Sequence, residues 1–140
     1  MRKSLLYTLF RLGRVPKQTL PVLESEGIVL LDEGLRGSIT LRNYRAPGRI
    51  HSYKNMIFAG SLVITEQRFA GFAFSKPLMN IPLHDDRLSA LELSVPRDGL
   101  LCVGFDAAVF DIQRSGSVEC RFHTENAMSF LELVTSSVRG

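Results

Sequence analysis

The spacing of apolar residues changes once along this chain, from a helical period to an alternating one. Over residues 3–13 the apolar side chains fall on one broad face, with basic residues largely opposite, which predicts an amphipathic helix. Gly13 and Pro16 end this helix, and residues 16–21 are expected to connect it to the body. From Gly27 onward the period shortens towards two, which predicts strands separated by turns.

Runs rich in β-branched and aromatic residues predict the strands of the body, and polar or glycine-containing segments predict its turns. The predicted strands are Ile28–Leu31, Ser38–Tyr44, Met56–Thr65, Arg68–Phe74, Met79–Leu83, Leu88–Val95, Leu100–Phe105, Ala107–Ile112 and Val118–Phe122. The predicted turns are Ala46–Gly48, a turn around Lys76 and Pro77, and Arg114–Ser117.

The last apolar stripe of the chain is helical. Thr124 suits the N-cap, and the stripe runs from Ala127 to Val138. Many short antiparallel strands with one such helix predict a mainly β (β+α) fold, an antiparallel barrel or sandwich. The helix is expected to cap an open end or an edge, and the N-terminal amphipathic helix is an addition to this body.

The clearest strand pair is Gly60–Phe74, in which a polar turn joins two apolar runs. Thr65 and Gln67 suit a tight hairpin, and Arg68 is expected to lay its stem along the barrel wall with its head in water. Phe72 and Phe74 are expected to share one buried face. These residues predict a structural role for the hairpin.

The same segment, with the Ile81-Pro82-Leu83 run that follows it, resembles GRAM domains and bacterial pleckstrin-homology-like domains. In such domains a Gly-x-Leu-x-Leu-Thr-x-x-Arg-hydrophobic segment precedes a strand ending near Ile-Pro-Leu. The matching residues here are Gly60, Leu62, Ile64, Thr65, Arg68, Phe69 and the run 81–83.

This resemblance covers roughly residues 22–138 and implies a pleckstrin-homology-like barrel without catalytic activity. Such domains commonly bind membrane phospholipids, often phosphoinositides, or other proteins. The lysine and tight Lys/Arg-x-Arg cluster of inositide-binding members is not cleanly present. We therefore divide the chain into residues 1–21, a basic helix with its connector, and residues 22–140, a domain similar to this family.

Basic residues concentrate in two intervals that contain no acid, residues 1–21 and residues 34–65, although the whole chain carries a net charge of only +3. The first interval supplies the predicted membrane-contact residues, which are Arg2, Lys3, Arg11, Arg14 and Lys17. An amphipathic helix with these cations can lie in the interface of an anionic membrane. Its apolar face can equally dock on the body or on a second subunit.

The second interval supplies the predicted ligand-binding residues, which are Arg42, Tyr44, Arg45, Arg49, His51 and Lys54. Cations spaced over an exposed turn can converge on phosphate, and guanidinium groups offer paired donors. The expected partner is an anionic lipid or another phosphate-bearing ligand. A solvated basic loop without a ligand is the alternative explanation of the same residues.

Two other functions stay open. The first is a protein-interaction or homo-oligomerising scaffold, in which strand edges and the amphipathic helix provide the contacts. The second is a cyclic-dinucleotide-binding barrel, because Arg45 and Arg49 form an Arg-x-x-x-Arg that resembles the opening motif of PilZ domains. The second PilZ element is incomplete, since Ile57 stands where serine belongs.

No recognisable catalytic or metal-binding constellation appears in the sequence, so we expect no enzyme activity, cofactor or metal. His84-Asp85-Asp86 is interpreted as a polar turn, and Cys102 and Cys120 as small buried hydrophobic residues. Nucleic acid is not an expected partner. Without a bilayer-length apolar run, the expected location is a reducing, bacterial cytoplasm, with peripheral membrane association as an extension.

Overall fold

The computed structural model describes residues 14–139, with side chains to residue 138. Its helices are α1 (Leu20–Glu26) and α2 (Ala127–Arg139), and short 3-10 helices span Asp86–Ala90 and Ala107–Val109. Its strands are β1 (Ile28–Ala46), β2 (Arg49–Thr65), β3 (Arg68–Ala73), β4 (Lys76–Pro82), β5 (Glu92–Arg97), β6 (Leu100–Asp106) and β7 (Ser115–His123). The predicted helix over residues 3–13, with Arg2, Lys3 and Arg11, lies outside the described residues.

The strands form one antiparallel sheet in the order β4-β3-β2-β1-β7-β6-β5. Helix α2 packs against β5 and β6. Thr124 Oγ1 accepts a hydrogen bond from the Asn126 N–H at 3.0 Å and donates one to Asp32 of β1, which ties the start of α2 to the sheet. The prediction of a mainly β, antiparallel fold with a C-terminal helix is confirmed.

The hairpin of β1 and β2 is longer than the sequence pattern predicts. The two strands have 19 and 17 residues, and a turn at Pro47 and Gly48 joins them. Gly48 has a φ of 74°, which glycine adopts without steric cost. The turn predicted at Ala46–Gly48 is present, but the strands on either side of it extend further than predicted, because the chain from Arg42 to Lys54 continues in strand register up to the turn.

Other element boundaries also differ from the prediction. The strand expected at Leu88–Val95 begins only at Glu92, because Asp85 caps a preceding 3-10 helix by accepting the Arg87 N–H. Asp106 caps another 3-10 helix in the same way, which replaces the strand expected at Ala107–Ile112. In both places, local side-chain to backbone hydrogen bonds compete with strand pairing.

Smaller differences concern the connections. The turn between β3 and β4 lies at Phe74 and Ser75, so Lys76, which was expected in the turn, already belongs to β4. The connector expected at residues 16–21 contains the first residues of α1, and β7 begins at Ser115, within the turn expected at Arg114–Ser117.

Apolar side chains are buried on both faces of the sheet at the end where β2 meets β3. The larger cluster joins residues of the sheet, such as Phe69 and Phe122, to Phe130 and Val134 of α2. A smaller cluster on the other face joins residues of β2 and β3 to α1 and its approach; its buried members are Val15, Leu23, Val63, Ala70 and Phe72. The larger cluster also includes Tyr44 of β1, near the turn, whereas residues 49–57 of β2 belong to neither cluster.

Candidate functional site

A cavity of about 470 Å³ lies beside the turn end of the β1–β2 hairpin. This volume falls within the range of small-molecule sites, roughly 300–1,000 Å³. Its lining comes from the hairpin, the end of β3 and the start of β4, the end of β6 with the segment that follows it, and β7. The lining residues are Ile39, Leu41, Tyr44, Arg49, His51, Lys54, Met56, Ile57, Phe58, Ala73, Phe74, Lys76, Pro77, Leu78, Phe105, Ala107, Phe110, Asp111, Arg114 and Val118.

The backbone of β1 is irregular just before Tyr44, whose side chain lines this cavity. Asn43 has a φ of 52°, in the left-handed region, and the register of β1 with β7 shifts between Arg42 and Arg45. Asparagine tolerates this conformation better than most residues. Tyr44 is buried, and its ring lies 6.2 Å from the ring of His51 at an interplanar angle of 24°.

The inner wall of the cavity is apolar. Leu41, Phe58 and Val118 are buried there, and Phe105 meets Phe110 edge to face with ring centroids 5.1 Å apart. Phe74 was predicted to share the buried face of Phe72, but it is 39% exposed and has a φ of 56°. Its place in the turn before β4, beyond the regular part of β3, explains why strand alternation does not apply to it.

The mouth of the cavity is cationic. Arg49, Lys54 and Lys76 are exposed, and none of them makes an ion pair among the described residues. Arg114 also lines the cavity, with its Nε 3.4 Å from a carboxylate oxygen of Asp111. Because an exposed pair of this kind is weak, Arg114 can exchange its partner for another anion.

The predicted ligand-binding residues divide between two surfaces. Tyr44, Arg49, His51 and Lys54 all line the cavity. Arg42 does not, and its guanidinium carbon lies 5.7 Å from the centre of the Tyr53 ring. Arg45 is exposed and outside the cavity lining, so the two arginines of the Arg-x-x-x-Arg pattern do not share this site.

Apolar side chains are also exposed beside these cations. Ile50 is 75% exposed, Ile57 80% and Ile112 94%, and Tyr53 between the two hairpin isoleucines is 62% exposed. Single exposed apolar residues are ordinary, but several next to a cationic cavity form a candidate contact surface. Of the predicted membrane-contact residues, Arg14 and Lys17 are exposed in the described part of the chain.

Arg68 differs from its prediction, because its head is bound by Glu26 and the side chain is only 28% exposed. Its guanidinium donates to both carboxylate oxygens of Glu26 at 2.6–2.9 Å, and Thr65 Oγ1 donates to the same carboxylate at 3.0 Å. The hydrogen bonds from Arg68 lower the pKa of Glu26 although burial opposes them. The Thr65 hydroxyl also accepts the N–H groups of Gln67 and Arg68, so this cluster fixes the β2–β3 turn.

A second hollow of about 740 Å³ contains the His84-Asp85-Asp86 sequence, but its chemistry is less specific. Asp85 is engaged by Arg87, whose hydrogen bonds lower the pKa of that carboxyl to about 2. Within residues 14–138, no cluster of histidine, cysteine and acidic side chains has the geometry of a metal site. Burial raises the pKa of the Cys120 thiol to about 12, which suits a packing residue.

Several cavity residues were not identified from the sequence. Lys76 and Arg114 are distant from the hairpin in the chain, and Phe105 and Phe110 were assigned to regular strands. Only the tertiary fold brings them to Lys54 and Tyr44. The one local signal was the left-handed tendency of Asn43, and it does not indicate which residues complete the cavity.

Comparisons with known proteins add no family assignment. No protein-family model matches the chain, and a search of curated proteins finds no significant match. Among the described helices, none combines the length and the apolar character needed to cross a bilayer. The geometry of the cavity and its surroundings therefore carries the functional argument.

Proposed function

We propose that this protein is a non-catalytic binding module that associates with anionic membrane surfaces through the turn end of the β1–β2 hairpin. We also propose that its sheet and C-terminal helix form the pleckstrin-homology-like barrel that the Gly60–Leu83 motifs imply. The observation that carries the functional proposal is the combination, at one end of the sheet, of exposed apolar side chains with cations that form no ion pair among residues 14–138.

Each component has a role at a membrane surface. Exposed Ile50, Ile57 and Ile112 can enter the boundary between headgroups and acyl chains, and Tyr53 is suited to the same depth. Arg49, Lys54 and Lys76 can contact headgroup phosphates without first breaking an ion pair among the described residues. Each cation near an anionic leaflet contributes about 1 kcal/mol to the binding free energy.

Vesicle co-sedimentation of the full chain tests this proposal. We expect the protein to pellet with phosphatidylglycerol-containing vesicles and to stay in the supernatant when the vesicles are phosphatidylcholine, at about 0.1 M salt. Removing two cations with Arg49→Gln and Lys54→Gln should weaken the partition coefficient about 30-fold, at about 1 kcal/mol for each charge.

The matched control removes two cations elsewhere. Arg36 and Arg97 are exposed and lie outside the cavity lining. Both are near His123, whose pKa is lowered first by burial and then by the positive charges of these two arginines. The double variant Arg36→Gln and Arg97→Gln has the same net charge as the hairpin variant, and we expect its partition to stay within about threefold of the unsubstituted chain. Equal losses in both double variants, or no preference for anionic vesicles, would contradict the proposal.

A second candidate function, protein interaction or self-association, is favoured by the free edge of β2. Strand β3 pairs with β2 only from Gly60 to Ile64, and no described strand covers that edge from Arg49 to Phe58. The Phe74 N–H donates to the Ala59 carbonyl, so by alternation the backbone groups of Tyr53, Asn55 and Ile57 also point away from β1. Such an edge can accept a further strand.

Light scattering over a range of concentrations distinguishes this candidate. If the edge pairs two copies of the chain, the mass should rise with concentration, and Ile57→Pro should abolish the rise by removing an outward N–H. Ile57→Ala is the control for loss of the side chain. A constant monomer mass would contradict self-association through this edge.

A further inference from the structure

We propose that the cavity beside the hairpin holds one acyl chain of an anionic membrane lipid, with the headgroup held by Arg49, Lys54 and Lys76 at its mouth. This inference rests on the proposed membrane association and adds a specific site for one lipid molecule. It differs from surface attraction because the chain would leave the bilayer and enter the protein.

The walls of the cavity fit a hydrocarbon chain. The cavity extends inward to the buried side chains of Leu41, Phe58 and Val118. Leu78 and Phe105 also line it and are only partly buried, so part of their apolar surface stays in contact with water. A chain in the cavity would remove this surface from water, which is favourable in proportion to the apolar area covered.

The positive charges that line the cavity favour a ligand with a negatively charged headgroup. The cations stand at the mouth, while the one acidic residue of the lining, Asp111, is already paired with Arg114. A negatively charged headgroup would therefore meet complementary charge where the chain enters. A second copy of the chain would instead bring its own Arg49 and Lys54 against these cations, so the charge pattern favours a lipid over self-association at this site.

Calorimetric titration with lysolipids below their critical micelle concentration tests the site without a bilayer. We expect lysophosphatidylglycerol to bind at least about tenfold more tightly than lysophosphatidylcholine, because the mouth is cationic. Glycerol 3-phosphate, an anionic head without a chain, should bind at least about tenfold more weakly than lysophosphatidylglycerol, because it buries no acyl chain. Myristate is included to distinguish a free fatty acid from a lipid; tighter binding of myristate than of the lysolipid would overturn the assignment to a lipid.

A blocking variant separates this site from general membrane attraction. Leu78→Trp fills the cavity from its partly buried wall, and we expect it to weaken lysophosphatidylglycerol binding at least about tenfold. Leu93→Trp is the matched control, since Leu93 is also a partly buried strand leucine but lies outside the cavity lining. Its lysolipid affinity should stay within about twofold of the unsubstituted chain.

A nuclear magnetic resonance measurement on the unsubstituted chain does not depend on how the variants fold. A lysophosphatidylglycerol with a nitroxide on its acyl chain should broaden the amide signals of Leu41, Ala73 and Phe105, which surround the cavity. Broadening confined to exposed residues of the hairpin would overturn the acyl-chain site. If the chain binds vesicles but does not prefer lysophosphatidylglycerol to lysophosphatidylcholine, the acyl-chain site is overturned and membrane association stands. If it binds lysophosphatidylglycerol but not vesicles, only the membrane association is rejected.

Discussion

Strand β2 passes between two environments along its length. From Arg49 to Ile57 all of its residues except His51 are exposed, whereas every residue from Phe58 to Thr65 is buried. Both halves lie in one continuous register with β1 as far as Gly60, so backbone pairing with that strand does not distinguish them. The difference comes from what packs on the faces of the sheet, and from β3, which pairs with only the buried half.

The two halves of β2 are suited to different roles, the buried half to stability of the fold and the exposed half to binding. In the buried half, side chains on one face meet the cluster around Phe69 and Phe122, and those on the other face meet α1. The exposed half has few such contacts, yet it carries Arg49 and Lys54 beside a cavity. We therefore expect substitutions in the buried half to change folding, and substitutions in the exposed half to change binding.

The largest expected effect is on the free energy of unfolding after Leu62→Ala. Leu62 is fully buried in the larger core cluster, and truncating such a side chain typically costs about 2–5 kcal/mol. Ile57→Ala, five positions earlier on the same strand, should change the value by no more than about 0.5 kcal/mol, because Ile57 is 80% exposed. Urea unfolding of both variants measures the contrast, and similar losses would show that the two halves are not distinct.

A smaller effect is expected at the turn that closes the buried half. Arg68→Leu leaves the Glu26 carboxylate, which is 8% exposed, without its cationic partner. Losing one partner of a buried pair costs about 3–5 kcal/mol, and because Arg68 itself is 28% exposed we expect about 2 kcal/mol here. The double variant with Glu26→Leu should recover most of this loss, and no recovery would mean that the charge is not its cause.

The same pair predicts a dependence of stability on pH. Because the pKa of Glu26 is lowered from 4.5 in the folded chain, its stabilising contribution is complete above that value and is lost as the pH falls through the folded pKa. In Arg68→Leu the carboxyl keeps the Thr65 hydroxyl but loses its cation, and burial should then raise its pKa, so acidification should stabilise that variant relative to the unsubstituted chain. The difference in unfolding free energy should therefore narrow below neutral pH, and a constant difference from pH 7 to pH 4 would contradict this role of Glu26.

Local patterns were sufficient to predict the fold class and the hairpin from Gly60 onward. Alternating apolar residues identified β7, and the helical stripe after Thr124 identified α2. The length of the β1–β2 hairpin was missed because residues 49–57 expose both faces and therefore show no alternation. The 3-10 helices were missed because capping by Asp85 and Asp106 is a local competition that apolar spacing does not report.

The candidate site was only partly accessible to sequence reasoning. Charge clustering identified Arg49, His51 and Lys54, which are close in the chain and line the cavity together. It also included Arg42 and Arg45, because charge alone does not indicate on which side of a strand a residue lies. Lys76 and Arg114 join the site through tertiary contacts, and Asn43 interrupts the alternation that would otherwise assign Tyr44 to a face.

Hydrogen exchange of the full chain, with and without phosphatidylglycerol vesicles, tests the central claim that the exposed half of the hairpin is the binding end. We expect vesicles to slow amide exchange in residues 49–57 and to leave residues 60–64 unchanged, because the latter are already buried and pair with a strand on both sides. Bound protein with slowed exchange only outside the hairpin and the cavity would contradict the account.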